Sequence, residues 1–176
     1  MKTIKPLLCC ALFFSTLWIC SSCGVYSFTG VNITADNISI QNFYNDADGG
    51  PPNLSQTFTD RLRDYYQQNT NLAVVQDDGE LQIEGNIVGY TLTPVAPTAS
   101  QDSEFGDAAA LTRLTITVNV SYTNIENDEF DFENRRFSFY TDFDNSQNIS
   151  AIEADLIEEI FDQITLDIFN ATVANW

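Results

Sequence analysis

The chain is expected to be an α+β protein: a two-layer sandwich of two helices packed on one face of a mostly antiparallel four-stranded sheet. Three observations predict this. Leu114, Ile116, Val118, Val120 and Tyr122 alternate with Thr115, Thr117, Asn119, Ser121 and Thr123, the cleanest period-two run in the chain. A strand with one dry and one wet side is typical of an antiparallel sheet. Two other stretches place apolar residues three and four apart: Leu54, Phe58, Leu62 and Tyr65, and later Ile152, Leu156, Ile160, Phe161, Ile164 and Ile168. Two such helices can cover the dry face of a single sheet.

The chain starts with a different kind of segment. Lys2 and Lys5 precede an apolar run from Leu7 to Ile19, and Cys20-Ser21-Ser22-Cys23-Gly24 follows. A basic start, a short apolar run and a small-residue exit make a secretory signal. A membrane-spanning helix needs about 20 apolar residues, more than this run supplies. Ser21-Ser22-Cys23-Gly24 resembles the lipobox of bacterial lipoproteins, although Cys20 stands where that box usually has Leu. Residues 1–22 are therefore expected to be removed and Cys23 to become a lipidated N-terminus. The plainer reading is an ordinary signal peptide cut near Ser22. Residues 23–36 read as a tether and 37–176 as one domain, a length that can bury its own core.

Charge and cysteine content follow from that division. The formal charge is −18. Loss of Lys2 and Lys5, with no acidic residue in 1–22, makes it −20. Such a domain repels nucleic acid, which demands clustered Lys and Arg. It also repels anionic lipid, so membrane attachment falls to acyl chains on Cys23. Cys9, Cys10 and Cys20 leave with the signal, so the domain holds no disulfide and stability rests on packing.

Taken in order, Ile38 and Ile40 read as a short strand ending at Phe43 or Tyr44, followed by a loop over 45–52. Asn53, with Gln56 three residues on, reads as a capping box for the first helix, which stops near Asn69. Leu72 to Val75 opens a strand pair with Asp77-Asp78-Gly79 as its turn. Leu81, Ile83 and Ile87 continue it, and Gly85 and Gly89 suggest a bulge or a close backbone approach. Pro94 and Pro97 end it, and 98–109 reads as an acidic loop. After the long alternating strand, 124–128 turns the chain and Phe137, Phe139 and Thr141 return it. Ser150-Ala151-Ile152-Glu153 reads as the second helix's capping box, with Glu158, Glu159, Asp162 and Asp167 on its wet side.

No catalytic set is visible. The sequence has no histidine, which removes the commonest general base and metal ligand. With no thiol left in the domain, zinc and cysteine-nucleophile chemistry lack their groups. Gly49-Gly50 leads into two prolines rather than a phosphate loop. The many carboxylates could supply a hydrolase pair, but no spacing singles out two. The chain reads as a non-enzyme without cofactor. One calcium-like string, Asp142, Asp144, Ser146 and Glu153, departs from an EF-hand because Gln147 stands where Gly is required and a strand precedes the loop. The remaining site is the row Thr115, Thr117, Asn119 and Ser121, uncharged and polar in an acidic chain. It reads either as plain solvent face or as a surface that meets another protein's polar interior.

Several strings together carry a resemblance. They are Cys23-Gly24-Val25-Tyr26-Ser27-Phe28, Leu54-Ser55-Gln56-Thr57-Phe58-Thr59, Leu81-Gln82-Ile83-Glu84-Gly85 and Arg113-Leu114-Thr115-Ile116-Thr117-Val118. Tyr140-Thr141-Asp142-Phe143-Asp144-Asn145-Ser146-Gln147-Asn148 and Val173-Ala174-Asn175-Trp176 complete the set. Their ordered succession resembles the lipopolysaccharide-assembly (LptE) family of outer-membrane lipoproteins. The resemblance implies two helices on a four-stranded sheet. It also implies a partner: the large LptD-like outer-membrane β-barrel that inserts lipopolysaccharide, inside which the lipoprotein sits as a plug and assembly partner. Some family members bind lipopolysaccharide through basic residues, but no motif places such residues among Arg61, Arg63, Arg113, Arg135 and Arg136. The alternative is a stand-alone periplasmic or surface lipoprotein that binds a small ligand or glycan.

Overall fold

The computed structural model describes residues 35–95 and 110–173. The signal segment, Cys23, the loop expected over 98–109 and the closing Ala174-Asn175-Trp176 lie outside the described residues. In chain order the elements are β1 (Asn37–Ile40), β2 (Tyr44–Asn45), α1 (Leu54–Asn69), β3 (Ala73–Val75), β4 (Leu81–Val95) and β5 (Leu111–Asn124). A short 3-10 turn (Asp128–Phe130), β6 (Phe132–Asp144) and α2 (Ile149–Thr172) follow. Both helices pack on one face of the sheet, so the α+β two-layer expectation holds. The core between the layers is made by Ile38, Ile83, Ile87, Ile116 and Val118 from the strands and by Phe58, Leu62, Ile160 and Ile164 from the helices.

The sheet itself corrects the expectation of four mostly antiparallel strands. Among the described residues it has six strands in the order β3-β1-β4-β5-β6, with β2 alongside β4. β1 pairs in parallel with both β3 and β4, and β2 pairs in parallel with β4; only β4–β5 and β5–β6 are antiparallel. The cause is α1, which carries the chain back along the sheet so that β3 starts at the same end as β1. A helical crossover of this kind yields parallel neighbours.

Asp77-Asp78-Gly79 accordingly closes no hairpin. β1 lies between β3 and β4, and the segment 76–80 passes across β1's outer face. A Cβ placed on Gly79 would stand 2.3 Å from the backbone nitrogen of Ser39, and this close cover leaves Ser39 buried although it points away from the core. Glu80 fastens the crossing: its carboxylate accepts from the Asp36 N–H and from Asn37 Nδ2, both at 2.8 Å, and its own N–H donates to Asn37 Oδ1 at 2.9 Å.

Between β1 and β2 the chain leaves the ladder so that Phe43 can turn into the core, where its N–H donates to Thr59 Oγ1 at 3.0 Å. Gly85 makes the room. A Cβ there would lie 2.6 Å from Phe43 Cε1 and 2.2 Å from the Asn119 carbonyl oxygen. Gly89 follows a register shift in the β4–β5 pairing, a bulge. The two glycines thus serve the two purposes expected of them, without ending the strand.

Neither capping box forms. The Asn53 side chain accepts nothing from the helix; its Nδ2 donates to Thr57 Oγ1 at 3.2 Å. In α2 the cap is Asn148, whose Oδ1 accepts from the Ser150 N–H, so Ser150 already lies inside the helix. Glu153 is then free to accept the Tyr90 hydroxyl at 2.6 Å. In α1 it is Tyr66, not Tyr65, that is fully buried, and its hydroxyl hydrogen-bonds Thr172 Oγ1. Ile157 and Thr165 lie in the buried stripe of α2, while Ile152 and Leu156 are partly buried at its rim. Phe58 meets Phe161 and Tyr65 meets Phe169, so the helices advance side by side in the same direction. Arg61 ties them by pairing with Asp162 and Glu158. No described helix is long and apolar enough to cross a membrane.

Candidate functional site

The side of the sheet away from the helices is assembled by strand register. Residues directly opposite one another share a face. Thr115 lies between Thr91 and Tyr140, Thr117 between Gly89 and Ser138, and Asn119 between Asn86 and Arg136. Ser121 faces Glu84, and Arg113 lies between Thr93 and Asp142. Thr115, Thr117, Asn119 and Ser121 therefore stand in one line along β5, each half-buried, while Leu114, Ile116, Val118 and Val120 are buried on the other side. The expected alternation is present along the whole of β5.

The row is tied to its neighbours by hydrogen bonds. Thr117 Oγ1 and Ser138 Oγ share one at 2.9 Å, and Ser121 Oγ accepts from the Asn134 N–H at 3.1 Å. At one end Arg113 grips Asp142 with two bonds, Nε to Oδ1 at 2.8 Å and Nη2 to Oδ2 at 2.9 Å. Bidentate geometry of this kind fixes both partners in plane. The same guanidinium lies 3.6 Å over the Tyr140 ring. The hydrogen bonds from Arg113 hold the Asp142 carboxyl below the usual carboxylate range.

Along β4, β5 and β6 the face carries Glu84 and Asp142 with Arg113 and Arg136, and Asp77 and Asp78 border it beside Ser39, Glu84 and Ser121. The solvent side of the helices carries Asp60, Asp64, Asp155, Glu158, Glu159 and Asp162. The face presents a row of hydrogen-bonding side chains suited to contact with another polar surface. The alternation within β5 isolates the four uncharged residues and misses Arg113, Arg136, Tyr140 and Asp142. A signal for all four exists in the sequence: Arg113 is in phase with Thr115, and Arg136, Tyr140 and Asp142 are in phase with one another along the returning strand.

The calcium-like string is divided among other partners. Asp142 is held by Arg113, Asp144 accepts from the Ser146 N–H at 2.7 Å, and Glu153 accepts from Tyr90. Among the described residues no three His, Cys, Asp or Glu side chains are grouped to hold a metal ion.

The same architecture occurs in other proteins. A hypothetical protein of Chlamydia trachomatis has a similar fold, with TM-score 0.52 at 8% identity, covering 80% of this chain and 100% of that one. A minor lipoprotein of Acinetobacter baumannii aligns with TM-score 0.45 at 12% identity over 77% of this chain and 91% of that chain. An uncharacterized lipoprotein B of Nitrosomonas europaea aligns with TM-score 0.43 at 18% identity over 76% and 79%. No curated protein matches the sequence. A family model described as lipopolysaccharide-assembly, LptE, matches residues 35–172.

Proposed function

Because the chain belongs to the LptE lipopolysaccharide-assembly family, we propose that it is an outer-membrane lipoprotein that acts as plug and assembly partner of the β-barrel inserting lipopolysaccharide. The observation that supports the plug role is the open sheet face. A barrel lumen is polar, and a surface that docks there must trap no unpaired charge. In a chain of formal charge −18, the row Thr115, Thr117, Asn119 and Ser121 offers uncharged hydrogen-bonding groups and its neighbour Asp142 is paired with Arg113, whereas the outer face of the helices carries many carboxylates. Affinity then comes from shape and many hydrogen bonds together, since buried polar atoms each add little.

The arginines argue for plugging over direct lipopolysaccharide binding. Arg61 and Arg113 are paired with carboxylates. Arg63 donates to the Ile40 carbonyl, at 3.1 Å from Nε, and Arg135 lies over the Phe132 and Phe137 rings. Four of the five arginines are thus engaged within the chain, and Arg136 alone does not make a cluster that grips phosphate.

Thr117→Lys together with Asn119→Lys tests the face. Both side chains point away from the core, so folding by circular dichroism is expected to be retained. Co-purification of the barrel in detergent is expected to fall about tenfold or more, because two unpaired charges are then buried at the interface. A folded double variant that still holds the barrel at wild-type level moves the contact away from this face. A wild-type chain recovered without any barrel supports the stand-alone ligand-binding lipoprotein instead.

The anchor is proposed to be Cys23. Cys23→Ala is expected to release the chain from the membrane fraction, because no described helix can cross a membrane and attachment is then left to the acyl chains. Intact-mass measurement that finds no acyl mass on the wild-type cysteine overturns the lipoprotein assignment.

A further inference from the structure

β6 is an edge of the sheet. It pairs with β5 on one side and with no described strand on the other. An open edge presents unpaired N–H and C=O groups that template another strand. Proteins blunt such edges with bulges and charges, and β6 does so only at its ends. Asn134, at φ +50°, distorts the start of the strand. Glu133, Arg135 and Arg136 crowd the same end, and Asp142 and Asp144 occupy the other. Between them Phe137-Ser138-Phe139-Tyr140-Thr141 holds no charge, no proline and no glycine.

The order of these charges points to one occupant. Lying antiparallel, two copies of β6 set the positive half of each beside the negative half of the other. Pairing centred on Phe139 puts Arg136 opposite Asp142 of the second copy; pairing centred on Tyr140 puts it opposite Asp144. Arg136 and Asp142 are both on the open face, so their side chains meet on one side of the joined sheet. Unlike Arg61 and Arg113, Arg136 has no carboxylate at ion-pair distance among the described residues. A parallel pairing of two copies would set like charges side by side. A closed barrel offers no free edge, so its wall cannot fill this position.

We infer that β6 is a self-association edge, where a second copy of this chain adds in antiparallel and joins the two sheets into one. Edge pairing belongs to chains that no barrel encloses, since Arg136 and Asp142 also lie on the face proposed to dock there. Net repulsion between two acidic copies is screened beyond about 8 Å at physiological salt, while the edge pairs are in direct contact.

Analytical ultracentrifugation of the full-length chain in detergent tests it. The wild-type chain is expected to sediment as a concentration-dependent dimer. Arg136→Asp and Asp142→Arg, each checked for folding by circular dichroism, should each raise the dissociation constant about tenfold, because each places two like-charge pairs across the dyad. An equimolar mixture of the two variants should recover wild-type association as a heterodimer, since every pair then has opposite signs. A wild-type chain that stays monomeric, an Arg136→Asp variant that associates as tightly as wild type, or a mixture that fails to recover overturns the inference. Sedimentation is measured without the barrel, so these outcomes are read separately from release of the barrel by Thr117→Lys with Asn119→Lys.

Discussion

Phe58→Ala is expected to remove about 3–5 kcal/mol of folding stability, the range for deleting a buried aromatic ring. Phe58 has no exposed surface. Its ring stands 4.9 Å from that of Phe43 and 4.9 Å from that of Phe161, both edge-on. It therefore joins three elements: α1, the break between β1 and β2, and α2. Each aromatic pair adds about 0.5–1.5 kcal/mol beyond the area it buries, and both are lost together. The neighbours cannot close the gap easily. Phe43 is held by its N–H bond to Thr59, and Phe161 lies in the rigid middle of a 24-residue helix. Against a total of about 5–15 kcal/mol for a domain, the loss is severe. Urea unfolding of the variant beside Phe58→Leu measures it. A loss below about 1 kcal/mol for the alanine variant would show that the helices do not meet the sheet through this ring.

Gly79→Ala is expected to cost about 3 kcal/mol, the upper part of the overpacking range. The added Cβ would stand 2.3 Å from the Ser39 nitrogen and 2.8 Å from the Ile38 carbonyl carbon. Both are backbone atoms of β1, a strand hydrogen-bonded on each side, so they cannot yield. The segment 76–80 must lift instead, and lifting it strains the three hydrogen bonds that Glu80 makes with Asp36 and Asn37. Asp77→Ala, on the same segment but outside this contact, serves as the control and should stay within about 0.5 kcal/mol of wild type. A Gly79→Ala variant as stable as that control would mean that the chain does not pass over β1 at this point.

These two substitutions separate what is legible in the residues from what is not. Phe58 belongs to a stripe of three- and four-residue spacing, and that spacing alone marks it as core. Gly79 is readable only as a turn residue. Its surroundings look like a hairpin because a short apolar run, Asp-Asp-Gly and a second apolar run succeed one another, the usual hairpin grammar. The grammar is local, and the strand that lies between the two runs comes from much earlier in the chain, before α1. The capping boxes fail for a related reason. Ser150 and Glu153 have the right spacing, but Asn148 captures the helix start two residues sooner and Tyr90, brought from β4, takes the glutamate.

The candidate site divides in the same way. The polar row on β5 is visible because alternation in one strand fixes which side chains share a face. The company it keeps on that face depends on the register with β4 and β6, which the spacing within β5 does not contain. The pairing of Arg113 with Asp142 and the position of Arg136 beside Asn119 emerge only when the strands are set side by side.

By itself, then, the order of residues determined the α+β class, the extent of both helices to within a few residues, the dry face of β5 and the lack of any histidine. Those are properties of one segment at a time: periodicity reports which face a segment buries, and composition reports which chemistry is available. Only the tertiary structure decided that β1 sits between β3 and β4, that three of the described pairings are parallel, that Tyr66 rather than Tyr65 is buried, and that β6 pairs on one side alone among the described residues. Each of these depends on hydrogen bonds and contacts between residues far apart in the chain, and local spacing carries no term for them.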